Sequence, residues 1–294
     1  MMILIDPPVW PAHGTVFSHL VSDTSLSELH AFASSAGLPE RAFDHDHYDV
    51  PLSRHDDLIA RGAALVPASE LVRRLIASGL RMRTSERTPK RGVALQRLGE
   101  SWQALLPGHE ALGAELVERW TEPHRYYHDV RHLHQVLHAL DLLGAGPDGR
   151  LLRLAAWFHD AVYQGSPDDE EQSAQLAETL LARVLPVDEV DEVARLVRLT
   201  RTHDPHPDDA SGAHLVDADL SILGLRPGRY DVYVRDVRSD FAHVDDDQWR
   251  LGRVQVLDHL LGLEPLFRTE VGQELWARQA AANLRAERER WLLR

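Results

Sequence analysis

Residues 122–141, "EPHRYYHDVRHLHQVLHALD", are crowded with side chains that bind protons and metal ions. The segment holds five histidines: His124, His128, His132, His134 and His138. His128 and His132 are four residues apart, so on a helix both imidazoles would share one face and point into one cavity. His134 and His138 lie off that face, and we expect them to be ordinary residues of the helix surface.

A second polar interruption falls at His159-Asp160, inside the apolar segment "LLRLAAWFHDAVY". Two such side chains in a core-facing helix are costly unless a partner satisfies them, and a divalent cation would do so. Neighbouring helix residues diverge by about 100°, so both can reach an ion that lies between their directions.

The segment "HLVDADLSILG" supplies a further carboxylate through Asp217 or Asp219. The two side chains point about 200° apart on a helix, so only one of them would face the site. We take Asp219 as the ligand and keep Asp217 as the alternative. His203, in "TRTHD", is either a ligand of a second metal, a residue that positions water, or a plain loop residue.

Together, these residues predict a divalent metal site on separate helices, with ligands His132, His159, Asp160 and Asp219. Nitrogen and oxygen ligands suit Mn, Mg, Fe, Co or Zn and do not choose among them. The chain has no cysteine, which excludes thiolate sites and disulfides. The number of ions is left open.

The chain shows two different patterns of secondary structure, and the second contains the predicted ligands. Near the start, the strand candidates "MILID" and "GAALV" alternate with helical patterns such as "TSLSELHAFASSAG", which has a helix cap at Ser25 and a stop at Gly37. Farther on, apolar residues recur three and four apart almost everywhere. We therefore predict a mainly α protein: a small α/β domain in residues 1–83, a polar linker in 84–94 and an all-α bundle in 95–294.

Charge and hydropathy narrow the class of protein. The net charge is −14, and residues 93–294 carry 22 Lys and Arg against 35 Asp and Glu. Such an acidic region argues against nucleic acid as a partner. No apolar run approaches the roughly 18 residues that span a bilayer, and "MMILIDPPVW" does not look like a signal peptide. We expect a soluble, cytoplasmic protein without a membrane partner; its oligomeric state cannot be predicted.

The ordered motifs resemble a known superfamily. The series H…HD…D on an all-α domain is similar to the HD superfamily of metal-dependent phosphohydrolases. "YYHDVRHLHQVL" resembles the Tyr-His-Asn-x-x-His segment of its cyclic-nucleotide phosphodiesterases, and "DADLSILG" resembles their Ala-Asp-Leu-Ser ligand segment. "EPHRYYHDVRHL", "AAWFHDAVY", "DDEEQSA" and "DADLSILG" together resemble a family of bacterial predicted HD phosphohydrolases over most of residues 118–290.

This resemblance implies the same four metal ligands and a catalytic role for two residues, His128 as the acid that protonates the leaving group and Asp160 at the metal. Asp129 stands where the phosphodiesterases have asparagine. Glu170 and Glu171 match an acidic patch near the metal in relatives, or are solvated carboxylates of a first helical turn.

Arg125 and Arg131 lie close by in sequence and are candidates for binding substrate phosphate, because a guanidinium pairs with phosphate oxygens in a bidentate manner. The alternative for both is a surface salt bridge. The implied function is hydrolysis of a small phosphorylated metabolite or nucleotide by metal-activated water. Two other functions stay open: a metal- and nucleotide-binding sensor without catalysis, and an HD-type di-iron oxygenase.

The first domain also concentrates polar ligands. They are Asp6, His13, His19, Asp23, Asp44, His45, Asp46 and His47. The stretch resembles a small bacterial domain family of unknown function over about residues 2–80. A polar cluster behind a strand end fits a ligand site at the edge of a sheet, and capping and loop hydrogen bonds explain it equally well.

Overall fold

The computed structural model of the protein describes residues 2–145 and 149–292. It confirms the predicted fold class, a small sheet region at the start followed by a helical body. The chain divides into two compact units. The sheet unit comprises residues 1–87 with Arg226–Arg235, and the helical unit comprises Thr88–Leu225 with Asp236–Arg294. The predicted domain boundaries and linker do not include this return of residues 226–235, and they stay a prediction.

The sheet unit contains five strands. They are β1 (Ile3–Ile5), β2 (Trp10–Ala12), β3 (Thr15–Ser22), β4 (Tyr48–Pro51) and β5 (Ala64–Leu65). Strand β3 pairs antiparallel with β1, β2 and β4, and β1 pairs parallel with β5. Strands β1 and β5 were predicted, whereas β2, β3 and β4 were not, because they carry histidine, proline and aspartate among their apolar residues.

The two faces of this sheet differ in what they bury. Leu20, Tyr48 and Val50 belong to the larger apolar cluster, which also contains Leu29 and Leu58 from the first two helices. Leu4 and Val21 point to the other face, because side chains alternate along a strand, and pack with Leu71 and Leu75. The second face is therefore only partly covered by apolar side chains.

Residues 2–87 also form three α-helices. They are α1 (Leu26–Ser35), α2 (Leu52–Ala60) and α3 (Ala68–Ala77). Helix α1 begins as predicted, because the Ser25 side chain accepts a hydrogen bond from the Glu28 backbone N–H. It is followed by Gly37 in the left-handed region at φ +69°, which glycine adopts without strain.

The helical unit contains most of the remaining helices. They are α4 (Arg91–Leu105), α5 (Glu110–Trp120), α6 (Val130–Leu142), α7 (Arg150–Phe158), α8 (Asp169–Leu181), α9 (Val187–Leu199), α10 (Ala210–Asp219), α11 (Pro227–Asp240), α12 (Asp246–Gly262), α13 (Glu270–Gly272) and α14 (Arg278–Leu292). Residues of α11 through Arg235 belong to the sheet unit. Large side chains such as Trp120, Trp157 and Phe158 are fully buried. Among the described residues, no helix combines the length and the apolar composition needed to cross a bilayer.

Candidate metal centre

The four predicted ligands come from two helices and one turn of the helical unit. His132 lies in the first turn of α6, and Asp219 is the last residue of α10. His159 caps the C-terminus of α7, and Asp160 follows in the turn. The expectation that His159 and Asp160 sit within a continuous helix was wrong. Helix α7 ends at Phe158, so a turn, and not a helical face, presents this pair.

The ligand atoms of these residues converge. His132 Nε2 lies 3.1 Å from His159 Nε2 and 3.1 Å from Asp219 Oδ1. Asp160 Oδ2 lies 3.3 Å from His159 Nε2 and 3.7 Å from His132 Nε2. His159 Nε2 is 3.7 Å from Asp219 Oδ1. Two imidazole nitrogens and two carboxylate oxygens thus meet in one small volume.

These separations fit donors that share one ion. Atoms bound at about 2.1 Å to a single cation lie about 3.0 Å apart at neighbouring octahedral positions and about 3.4 Å apart in a tetrahedron. Three of the observed separations, at 3.1, 3.1 and 3.3 Å, match these values, and the other two, at 3.7 Å, are slightly longer. In addition, each neutral imidazole has a single N–H, so at most one of two facing ring nitrogens can donate a hydrogen bond to the other. A divalent cation between these atoms would satisfy all four, so the residues present fit a metal.

The orientation of His159 supports the same reading. Its Nδ1 lies 2.8 Å from the backbone oxygen of Ala156, which can only accept, so Nδ1 carries the proton and Nε2 offers its lone pair to the site. A carbonyl behind the ring is the usual way in which a protein fixes a ligating histidine. His132 differs, because its buried Nδ1 has no hydrogen-bond partner among the described residues.

The carboxylates of the site favour binding of a positive charge. Burial favours the neutral ring of His159, but the Asp160 and Asp219 carboxylates and the Ala156 carbonyl together outweigh it and raise the pKa of His159 to about 9. Burial lowers the pKa of His132. Burial opposes ionisation of Asp160 and Asp219, yet the histidines around them hold the pKa of each carboxyl below its usual value. Both acids are therefore ionised and compete for whatever cation or proton is nearest.

His128 lies beside the ligands but not on their helix. Helix α6 begins at Val130, because Asp129 caps it and accepts from the backbone N–H of Arg131, so the shared-helix argument for His128 was wrong. Its ring centroid is nevertheless 5.7 Å from that of His132. The ring stacks on Tyr163 at 4.2 Å.

Asp240, which the sequence reasoning missed, fixes this histidine. Its carboxylate lies 2.8 Å from His128 Nδ1 and also accepts from the backbone N–H groups of Tyr127 and His128. The carboxylate holds the proton on Nδ1 and leaves Nε2 as the reactive nitrogen. Asp240 lies 112 residues from His128 in the chain, so no local sequence signal connects the two.

His203 and Glu170 lie at the periphery of the centre. His203 Nε2 is 3.0 Å from Asp219 Oδ2, the carboxylate oxygen that faces away from His132. His203 adopts φ +52°, in the left-handed region that non-glycine residues rarely occupy. Burial and the nearby Asp160 raise the pKa of Glu170. Glu171, in contrast, pairs with Arg198 at the surface.

The two arginines predicted to bind substrate are engaged within the protein. The buried Arg125 guanidinium donates to the backbone oxygens of His128, Asp160 and Ala161 at 3.1, 2.7 and 3.2 Å. The Arg131 Nε donates to Asp129 at 2.9 Å. These contacts make Arg125 a support for the turn that carries the ligands. Substrate binding by Arg125 or Arg131 stays a prediction.

Asp217 has a different task from Asp219. It is fully buried and accepts from the backbone N–H groups of Arg268 and Thr269 and from the Thr269 hydroxyl. Its side chain thus anchors the loop before α13. The alternative in which Asp217 replaces Asp219 at the centre therefore finds no support. His138 is exposed on α6, as expected.

Two groups of histidine and aspartate in the described part of the chain are arranged so that they could hold a metal ion: His132, His159 and Asp219, and His19, His47 and Asp49. The model of a family described as "Protein of unknown function (DUF4031)" matches residues 3–78. This agrees with the resemblance expected for the first domain, while the same comparison finds no HD-domain family in the chain. Neither a curated protein nor a solved structure matches the chain.

Proposed function

We propose that the helical unit is a metal-dependent phosphohydrolase that cleaves a small phosphorylated metabolite or nucleotide. The observation that carries this proposal is the convergence of His132, His159, Asp160 and Asp219, with a carboxylate-oriented His128 beside them. A divalent cation bound there supplies Lewis acidity, which activates water and neutralises charge on a phosphoryl group.

His128 has the chemistry of a general acid. Its Nδ1 is committed to Asp240, so Nε2 is the nitrogen that can deliver a proton to the departing alkoxide. The Asp240 carboxylate fixes the orientation of the ring before that transfer. Stacking on Tyr163 holds the ring plane, so the proton is presented in one direction.

Substrate charge has to be balanced by the bound cation. The region is strongly acidic, and Arg125 and Arg131 are occupied by backbone and carboxylate acceptors. Without a metal, Asp160 and Asp219 would repel a phosphate. A small phosphorylated substrate, whose charge a divalent cation held by His132, His159, Asp160 and Asp219 would offset, is therefore the best fit.

Activity against a panel of phosphate esters, each assayed with Mn²⁺, Mg²⁺, Co²⁺ and Fe²⁺, tests the proposal. We expect turnover with at least one metal, and its loss in His159→Ala and Asp160→Ala. His138→Ala, on the exposed face of α6, is the matched control and should keep full activity. Tight nucleotide binding without turnover under every metal would contradict hydrolysis and favour a sensor.

One observation favours a second candidate, an HD-type di-iron oxygenase. Asp219 turns Oδ1 toward His132 and Oδ2 toward His203. His203 would therefore be available to help hold a second iron ion, which would supply oxygen-activating chemistry. Iron-dependent consumption of dioxygen, abolished by His203→Ala, would identify this activity. If His203→Ala still hydrolyses phosphate esters, His203 is not required for hydrolysis, and the result favours the first candidate.

A further inference from the structure

We propose that the sheet unit holds a second, independent metal site, in which His19, His47 and Asp49 bind a divalent transition-metal ion and Asp6 and Asp46 position the two histidines. The site would be distinct in its ligands and in its unit from the centre described above. The sheet unit would then be a metal-binding domain.

Strand register brings the three ligands to one face. His19 of β3 is directly opposite Asp49 of β4. Directly opposite residues of an antiparallel pair share a face, with Cβ atoms about 5 Å apart. His47 immediately precedes β4, and its Nε2 lies 3.5 Å from Asp49 Oδ1. The His19 and His47 rings meet edge to face, with centroids 4.9 Å apart.

On the other side of His19, the ladder between β1 and β3 continues by one residue. The Asp6 backbone N–H donates to the backbone oxygen of His19 at 3.2 Å, which places the Asp6 side chain next to the His19 ring. This is the face of the sheet that also carries Leu4 and Val21.

Both imidazoles are held from behind by buried carboxylates. His19 Nδ1 lies 3.0 Å from Asp6 Oδ2, and His47 Nδ1 lies 2.7 Å from Asp46 Oδ1. Asp6 and Asp46 are 1% and 0% exposed. A carboxylate on Nδ1 fixes the ring and directs the Nε2 lone pair outward, which is the usual second layer of a histidine–metal site.

Asp46 is itself fixed, because it accepts from the Met82 backbone N–H at 2.7 Å. Asp6 likewise accepts from Trp10 Nε1 at 3.3 Å. Two buried carboxylates, each with further hydrogen bonds, therefore fix both histidine rings. The ligand side chains are oriented before any metal binds.

The front of the cluster matches donors around one ion. Asp49 Oδ1 lies 3.5 Å from His47 Nε2, longer than a good hydrogen bond but close to the roughly 3.0–3.4 Å expected for two ligands of one cation. One donor atom from each of His19, His47 and Asp49 lies within 4.8 Å of the others. The side chain of Asp49 is 49% exposed, so the coordination sphere would be open to an incoming molecule.

The donor set selects the class of metal. Two imidazoles and one carboxylate suit Zn²⁺, Co²⁺, Fe²⁺ or Mn²⁺, whereas Ca²⁺ and Mg²⁺ prefer oxygen ligands only. Three protein ligands with open positions are typical of catalytic and not of structural metal sites.

Zn²⁺ content and affinity of the full chain test this inference separately from the proposed hydrolase. The experiment starts from the His132→Ala, Asp219→Asn double variant, in which the helical centre is disabled. We expect this background to retain one Zn²⁺ per chain and to bind Zn²⁺ but not Mg²⁺ in calorimetry. Adding His47→Ala should weaken Zn²⁺ binding by about 100-fold or more, and Asp6→Asn by about 10-fold or more.

His13→Ala is the matched control, because His13 is exposed in the same unit and outside the cluster. Its Zn²⁺ affinity should equal that of the background. Asp49→Asn changes an exposed side chain and provides a second test if His47→Ala does not fold. A folded double variant that binds no Zn²⁺, or one whose affinity is unchanged by Asp49→Asn and His47→Ala, would overturn the inference.

Discussion

The two histidine–aspartate clusters of this protein use the same residue types in opposite ways. In the helical unit, carboxylate oxygens of Asp160 and Asp219 face the Nε2 atoms of the histidines. In the sheet unit, the buried carboxylates of Asp6 and Asp46 bind the Nδ1 atoms instead. The first cluster therefore has two carboxylates beside the Nε2 atoms, whereas the second has one there, Asp49, and two behind the histidine rings.

This difference predicts different chemistry. A cation bound between two carboxylates would be held strongly and would offset their charge, as the proposed hydrolysis of a phosphorylated substrate requires. A cation held by two imidazoles and one exposed carboxylate keeps more of its own positive charge. We expect the helical centre to tolerate hard ions such as Mg²⁺ and Mn²⁺, and the sheet site to discriminate against Mg²⁺.

The largest expected effect is on hydrolysis after loss of a helical ligand. His159→Ala should lower kcat/KM for the best phosphate ester by about 10⁴-fold, equivalent to about 5 kcal/mol of transition-state stabilisation. Steady-state kinetics measure this loss. His47→Ala serves as the comparison variant and should leave the same activity unchanged, and equal losses in both variants would show that the two clusters are not independent.

Loss of Arg125 should damage stability more than substrate binding. Arg125→Ala leaves the backbone oxygens of His128, Asp160 and Ala161 without this donor. We expect a decrease of about 4 kcal/mol in the free energy of unfolding, measured by denaturant titration. An unchanged stability with a large increase in KM would instead make Arg125 a substrate contact.

His128→Asn should lower kcat by about 100-fold for alkyl phosphates, because the leaving alkoxide loses its proton donor. The effect should shrink to a few-fold for p-nitrophenyl phosphate, whose leaving group needs no proton. Comparison of the two substrates measures it. Equal losses for both would indicate that His128 acts in some other way, such as binding the metal.

Asp240→Asn should have the smallest effect, about 10-fold in kcat for alkyl phosphates. The amide still accepts a hydrogen bond from His128 Nδ1 but places no negative charge beside the ring. The loss should again be smaller for p-nitrophenyl phosphate. A kcat for alkyl phosphates equal to that of the wild type would contradict this role.

The helical centre was predictable because its signals are local. The His159-Asp160 pair and the Asp219 segment are polar interruptions of apolar runs, and a short stretch of sequence suffices to find them. The geometry was less predictable. The end of α7 at Phe158 and the Asp129 cap of α6 change how His128, His159 and Asp160 are presented, and helix ends are the least certain feature of any sequence pattern.

The sheet cluster could not be predicted from local sequence patterns. His19, His47 and Asp6 stand out by residue type, but their meeting depends on the registers of β1, β3 and β4, which are set by long-range pairing. Asp49 was not singled out at all, because a lone aspartate in "YDVP" carries no signal until its partner across the sheet is known. Asp240 was missed for the same reason.

Anomalous X-ray scattering from crystals of the full chain grown with Mn²⁺ tests the central claim most directly. We predict a peak among His132 Nε2, His159 Nε2, Asp160 Oδ2 and Asp219 Oδ1, at about 2.0–2.3 Å from each coordinating atom. An absence of any peak there, with the two Nε2 atoms still within hydrogen-bonding distance of each other at saturating Mn²⁺, would contradict the account.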